Sequence, residues 1–326
     1  MAELRYNPLL DDWTMVSANR SNRPQMPKDY CPFDPGSGKV PDDYDVYEYD
    51  NDFPILSQNP SAPDKVGSEL YRTASSYGKC EVILYSPSHT GKLHEQTHEH
   101  IKKLVDLWTN RTNFMKSDKN IKYVFVFENK GKEVGTTMPH PHGQIYGYSK
   151  MPLRMRIELE NTKNYYEKTG KNMFDTMIED ERNFAQRMIF EDEYFSVFIP
   201  FFCEYPFGAY IVAKKNVGYF SDFDEEMKNS FANTLKTLTA SFDLVYDRDF
   251  PYMMCVYQYP VNEEKYKGAG NYYRFHVKFF PPLRGKESIK YNASSETGAF
   301  AHGNPCKVED TAKLLRQAVE RYNNGK

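Results

Sequence analysis

His140, His142 and Gln144 occupy every second position of the stretch MPHPHGQIYG. The chain holds 8 histidines in 326 residues, so two of them one residue apart invite a chemical explanation. In an extended strand, alternate side chains share a face. That sets His140, His142 and Gln144 on one side and Pro141, Gly143 and Ile145 on the other. Pro141 removes a ladder donor and predicts a sheet edge or a bulge. Gly143 allows close approach of a backbone or a ligand. Just upstream, Gly131, Gly135 and the hydroxyls of Thr136 and Thr137 form a turn that can offer donors to an anion. A neutral imidazole is a nucleophile near neutral pH, since its ordinary pKa is about 6.5. Attack on phosphorus needs the proton on the other ring nitrogen, a tautomer that a backbone carbonyl can hold. The resulting phosphoramidate is labile, so a second acceptor can take the group away. Two other readings stand beside this one: ordinary strand residues, or ligands of a structural metal.

A second constellation lies upstream. YCPFDPG places Cys31 and Asp34 at C-x-x-D spacing, and His89 follows a strand in YSPSHTGK. With His140 they make a thiolate, a carboxylate and two imidazoles, an acceptable tetrahedral zinc set. Taken alone, C-x-x-D more often marks a loop cysteine near a helix cap.

These residues need a scaffold. The first 65 residues are rich in Pro, Asp and Asn and predict extended, loop-rich chain with little helix. KCEVILYSP predicts a strand, and IKYVFVFENKG predicts another, closed by Asn-Lys-Gly. Between them, Ile101, Leu104, Val105, Leu107 and Trp108 recur at helical spacing. HPHGQIYGYS reads as a strand paired with the previous one. PLRMRIELENTKNYYEKTGK predicts a helix ending at Gly170. The pattern then repeats: strands in YFSVFIPF and GAYIVAKK, a helix in DEEMKNSFANTLKTLTASFDLVY, and strands in PYMMCVYQYP and YYRFHVKFFPP. Strand, helix and paired strands thus occur twice, at roughly 70–175 and 185–285, which points to an internal duplication. The class is α+β, antiparallel sheet packed with helices, with halves expected at 1–175 and 176–326.

Composition narrows the partners. The net charge is -3 with no basic block, which argues against nucleic acid. No apolar run is long enough to span a bilayer, and the N-terminus lacks a signal-peptide pattern. Five scattered cysteines argue against a disulfide framework and for a cytoplasmic protein. His94, His98 and His100 sit at or before a helix start and are expected to be solvated.

RYNPLLDDWTMVSANRSNRP, NDFPIL, VFENKG, HPHGQI and FHVKFFPPL, in this order, resemble the galactose-1-phosphate uridylyltransferases, a branch of the histidine-triad superfamily. The resemblance runs from Arg5 to about Glu296. It implies a duplicated histidine-triad fold and a homodimer with shared active sites. It implies ping-pong exchange of a uridylyl group between UDP-glucose and galactose 1-phosphate. By this resemblance His142 carries the nucleotide and Gln144 bonds the phosphoryl oxygens. A glutamine there marks transferases, where hydrolases of the superfamily have a third histidine. One zinc per subunit would be held by Cys31, His89 and His140, with Asp34 where the family usually has a second cysteine. Arg20 and Arg23 match basic residues near the sugar phosphate, Asn51 and Asp52 nucleotide contacts, and Asn129 a phosphate contact. Taken without the family, the two arginines read as a solvated surface.

The departures are specific. Gly135-Thr136-Thr137 stands where Gly-Cys-Ser is common. Glu158 and His276 match two positions of an iron site found in some members, but Tyr257 and Lys278 replace the other two, so that metal is expected to be absent. The sugar-binding segment SIKYNASSETGAF keeps Lys290 and Glu296, yet Ser295 replaces an aromatic residue. The acceptor therefore stays open among sugar 1-phosphates. A hydrolase or phosphorylase of nucleotide compounds on the same scaffold, and a non-catalytic zinc protein, are the competing readings.

Overall fold

The computed structural model describes residues 2–18, 30–136 and 138–325. Arg20, Arg23 and Thr137 lie outside the described residues. The strands are β1 (Ala2–Asn7), β2 (Asp12–Ser17), β3 (Tyr47–Asp50), β4 (Thr73–Ser75), β5 (Gly78–Leu84), β6 (Tyr123–Lys130), β7 (His142–Tyr148), β8 (Met188–Glu191), β9 (Phe195–Phe198), β10 (Tyr210–Ala213), β11 (Tyr252–Tyr257), β12 (His276–Phe280), β13 (Leu283–Gly285) and β14 (Ser288–Ile289). The helices are α1 (His98–Ser117), α2 (Leu153–Thr169), α3 (Met173–Phe184), α4 (Glu225–Tyr246), α5 (Ser294–Ala299) and α6 (Val308–Asn323).

One antiparallel sheet of nine strands runs β3-β5-β7-β6-β11-β12-β10-β9-β8. Strands β6 and β11 meet at its centre, with Phe127 opposite Cys255. Outward from this junction the register repeats. Phe127 pairs with Gln144 as Cys255 pairs with Lys278, and Leu84 pairs with His142 as Val212 pairs with His276. The α+β class and the twofold strand pattern expected from the sequence are both present.

Helices α1, α4 and α6 cover one face and share a large apolar core with the sheet. Ile101, Leu104, Val105 and Trp108 of α1 are buried there at the spacing the sequence shows. The Thr97 hydroxyl caps the helix by accepting from the His100 N–H at 3.2 Å. On the other face, α2 and α3 pack over the second half. Over the first half the covering layer is the N-terminal segment, whose Cys31, Phe33, Val40 and Tyr44 pack on Val82 and Leu84 of β5. The segment expected to be loop-rich thus contains β1, β2 and β3.

Two local expectations are corrected. β7 lies between β5 and β6, and its pairing shows no register shift, so Pro141 marks neither an edge nor a bulge. The strand begins one residue after Pro141. The proline's missing N–H therefore costs no ladder bond, and its carbonyl accepts from the Tyr85 N–H at 2.9 Å. The three early histidines are not simply solvated. His94 meets Asp243 at 3.0 Å, His98 meets the Asn229 carbonyl at 3.0 Å, and His100 meets the Tyr85 carbonyl at 2.6 Å. They tie the entry of α1 to α4 and to the end of β5.

Candidate active site

The site is assembled from the loop 31–34, the loop that follows β5 and the chain that enters β7. The loop 31–34 is closed by the Asp34 N–H donating to the Cys31 carbonyl at 3.2 Å. It is anchored by the buried Cys31 and Phe33, and Phe33 presents its ring to both His140 and His142, at 5.9 and 6.2 Å between centroids.

Cys31, Asp34, His89 and His140 each offer one donor atom, and all of these atoms lie within 4.8 Å of one another. His140 Nδ1 is 3.1 Å from Asp34 Oδ1 and 3.8 Å from Cys31 Sγ, and His89 Nδ1 is 3.0 Å from both Asp34 oxygens. Burial raises the Cys31 thiol above its ordinary value. Burial would also raise the Asp34 carboxyl, but the bonds from His89 and His140 outweigh it and hold that carboxyl below its usual range. One thiolate, one carboxylate and two imidazoles around a common point suit a four-coordinate divalent metal. The cluster can hold a metal ion, as the spacing suggested.

The far side of His140 shows how the ring is oriented. His140 Nε2 donates to the Ser86 carbonyl at 2.8 Å and lies 3.1 Å from the Tyr44 hydroxyl. Tyr44 in turn donates to the Phe33 carbonyl at 2.7 Å. With its proton on Nε2, His140 presents the Nδ1 lone pair to the cluster. Sequence reasoning missed Tyr44. Tyr44 is one of three tyrosines in DDYDVYEYD, and nothing in that stretch singles it out.

His142 has the complementary tautomer. Its Nδ1 donates to the His140 carbonyl at 2.8 Å, which places the ring's lone pair on Nε2. His142 opposes Leu84 and Gln144 opposes Val82, so the two side chains share the face covered by the N-terminal layer. Tyr146 donates to Gln144 Oε1 at 3.0 Å, so the amide NH2 is the end of Gln144 that can donate elsewhere.

A cavity of about 850 Å³ is lined by His142, His140, Asn129, Thr136, Glu128 and Tyr85, among others. Gly131 and Gly135, at φ of 102° and 83°, turn the chain so that the Thr136 hydroxyl donates to the Asn129 carbonyl. Asn51 and Asp52 follow the edge strand β3. Asn51 accepts from the Phe53 N–H, and Asp52 from the Tyr49 hydroxyl at 2.8 Å. Lys290 and Glu296 come together at 3.6 Å, with Lys290 over the Tyr205 ring, and neither lines the cavity that holds His142.

On the β11-β12-β10 side of the sheet, Lys278 makes an ion pair with Glu158 of α2, and Tyr273 donates to the same carboxylate at 3.4 Å. The His276 ring stacks on Tyr257 at 4.7 Å.

Models of the galactose-1-phosphate uridyl transferase N-terminal and C-terminal domains match residues 1–152 and 158–292. A galactose-1-phosphate uridylyltransferase of Thermotoga maritima is 38% identical over 97% of this chain and 98% of its own length. That of Saccharomyces cerevisiae is 30% identical over 88% of this chain and 86% of its own. A solved uridylyltransferase structure superposes with a TM-score of 0.89 at 26% identity, over 98% of this chain and 99% of that one. An ADP-glucose phosphorylase from Arabidopsis thaliana shares the fold, with a TM-score of 0.75 at 24% identity over 97% of this chain and 99% of that one. The chain belongs to the galactose-1-phosphate uridylyltransferase family.

Proposed function

We propose that this protein exchanges UMP between UDP-glucose and galactose 1-phosphate, or a related sugar 1-phosphate, through a uridylyl-His142 intermediate. The observation that carries this reading is the Nδ1 donation from His142 to the His140 carbonyl, which puts the lone pair on Nε2. In the first half-reaction, Nε2 attacks the α-phosphorus. The N–P bond forms, and the bond to the bridging oxygen breaks with its electron pair leaving on glucose 1-phosphate. In the second, a phosphate oxygen of the acceptor attacks phosphorus, and the N–P electron pair returns to the imidazole. Leaving group and acceptor are both phosphates, so no general base is needed. The Gln144 amide and the Thr137 hydroxyl donate to the phosphoryl oxygens as charge builds there, and Thr136, beside Gly135, forms the pocket wall. Asn129 contacts phosphate, and Asn51 and Asp52 contact the nucleoside.

Arg20 and Arg23 take the sugar phosphate. Lys290 and Glu296 act in the site of a second copy, within a cytoplasmic homodimer. The halves 1–175 and 176–326 are the two histidine-triad units. Cys31, Asp34, His89 and His140 hold one zinc, which when bound supplies a fixed charge that anchors the His140 ring. The second, iron-type site at Glu158 and His276 is replaced by the Lys278 ammonium.

Mass spectrometry tests the reading. The protein is incubated with UDP-, ADP- and GDP-sugars, and any adduct is then challenged with sugar 1-phosphates, inorganic phosphate and water. A uridylyl adduct on His142 discharged by a hexose 1-phosphate is expected. Discharge by phosphate or water alone would identify a phosphorylase or hydrolase instead, and absence of any adduct would sink covalent transfer.

A further inference from the structure

Glu128 is a charged residue on the apolar face of β6, in alternation with the buried Val124 and Val126. Its two carboxyl oxygens accept from the hydroxyls of Tyr85, at the end of β5, and Tyr252, on β11, each at 3.2 Å. Phe127 pairs with Gln144, so Glu128 comes opposite Gly143. A Cβ on Gly143 would lie 2.3 Å from the Tyr85 hydroxyl oxygen. The Tyr85 phenol therefore fills the space directly beneath the backbone that joins His142 to Gln144. Glu128 and Tyr85 both line the cavity that holds His142.

We propose that Glu128 is a positioning residue for uridylyl transfer: buried between Tyr85 and Tyr252 and accepting from both hydroxyls, it fixes Tyr85 under Gly143. Its ionisation would place a negative charge on the floor of a cavity that must admit phosphate. The inference rests on the reading of His142 as nucleophile. The groups facing Glu128 are Tyr85 from β5, Tyr252 from β11 and Lys130 from its own strand. Lys130 is itself paired with Asp243 of α4 at 2.9 Å, and Lys92 joins the same carboxylate at 2.8 Å. Among these neighbours Lys130 opposes burial most. Burial pushes the Glu128 carboxyl up to about 7, and Lys130 and the two hydroxyls pull it back only in part. The group is neutral below that value and ionised above it.

The experiment is kcat/KM against pH, from about 5.5 to 9, with adduct formation followed alongside. Wild-type activity should fall on the alkaline side, by about thirtyfold between pH 6 and 8.5. Glu128→Gln, an isostere fixed in the neutral form, should form the adduct at low pH and lose the alkaline fall. An unchanged profile, or an equal loss at every pH, would overturn the proposal while the His142 adduct still stood. Tyr252→Phe provides a second test that does not alter Glu128. Removing a donor that favours the ionised form should move the alkaline limb to higher pH, and an unmoved limb would count against the proposal. If wild-type protein formed no adduct at any pH, the reading of His142 would fail first, and this inference with it.

Discussion

His276 stands in β12 where His142 stands in β7. Each begins its strand, and each donates from Nδ1 to the carbonyl two residues back, His140 at 2.8 Å and Arg274 at 2.9 Å. Two positions on, Gln144 and Lys278 correspond in the same way, opposite Phe127 and Cys255. The difference is access. His142 lines a cavity, whereas His276 is wholly buried with its ring against Tyr257.

The same tautomer in a sealed site cannot meet a nucleotide. After incubation with UDP-glucose, proteolytic peptides should carry a uridylyl group on His142 and none on His276. His142→Ala should abolish the adduct and shift the melting temperature by no more than about 2 °C, since the ring is only partly buried. An adduct persisting in that variant would remove His142 from the mechanism.

The partly buried partner of Lys278, Glu158, gives a stability prediction. Burial alone would raise the Glu158 carboxyl, but Lys278 and His276 hold it at about 2. A depressed carboxylate contributes stability above its unfolded value, near 4.5, and that contribution is lost as pH falls from there toward about 2. Lys278→Met leaves Glu158 without its cation and should cost about 3 kcal/mol at neutral pH. The variant should also show a flatter loss of stability between pH 4.5 and 2 in denaturant titrations. A wild-type slope in Lys278→Met would mean that the pair is not the source.

At the metal cluster, Asp34 bridges His89 and His140 at 3.0 and 3.1 Å. Asp34→Ala removes one donor of four, and bound zinc measured by elemental analysis should fall well below one equivalent after dialysis. Asp34→Cys should restore it, because a second thiolate suits zinc equally well. Unchanged stoichiometry in Asp34→Ala would exclude the carboxylate from the set.

Strand alternation alone makes the working face legible in the sequence. The pair His142 and Gln144 needs only the period of a strand, which stops short of His140, and the helix α1 needs only the spacing of Ile101, Leu104, Val105 and Trp108. Long-range relations are hidden. Nothing in the local sequence of Tyr44 shows that it touches His140, 96 positions away. The helix α3 is not among the elements expected from the sequence, although Asn172 caps it by accepting from the Phe174 N–H at 2.9 Å. Pro141 misleads because the rule for proline in strands applies to a paired residue, and the pairing starts one residue later. Glu128 does carry a signal, a charge breaking the Val124–Val126 alternation, and such a break in an apolar face marks a residue whose burial needs a reason.

Gly143 gives the most direct test of how the strand is held. A Cβ there would meet Tyr85 Oη at 2.3 Å, Tyr85 Cζ at 3.0 Å and the Phe127 carbonyl oxygen at 3.1 Å. Tyr85 has little room to yield. Trp108 of α1 packs edge-on against its ring at 6.0 Å, Glu128 accepts its hydroxyl proton, and His100 bonds its carbonyl. Gly143→Ala should therefore displace the backbone between His142 and Gln144. The expected cost is about 1–3 kcal/mol of stability and a large fall in kcat, because a nucleophile displaced by about 1 Å loses on the order of a hundredfold in rate. Tyr85→Phe removes the atom at 2.3 Å and leaves the one at 3.0 Å. The double variant should then recover part of the stability lost by Gly143→Ala, giving a favourable interaction energy in a double-mutant cycle. Strict additivity of the two substitutions would show that Tyr85 does not set the height of the catalytic strand.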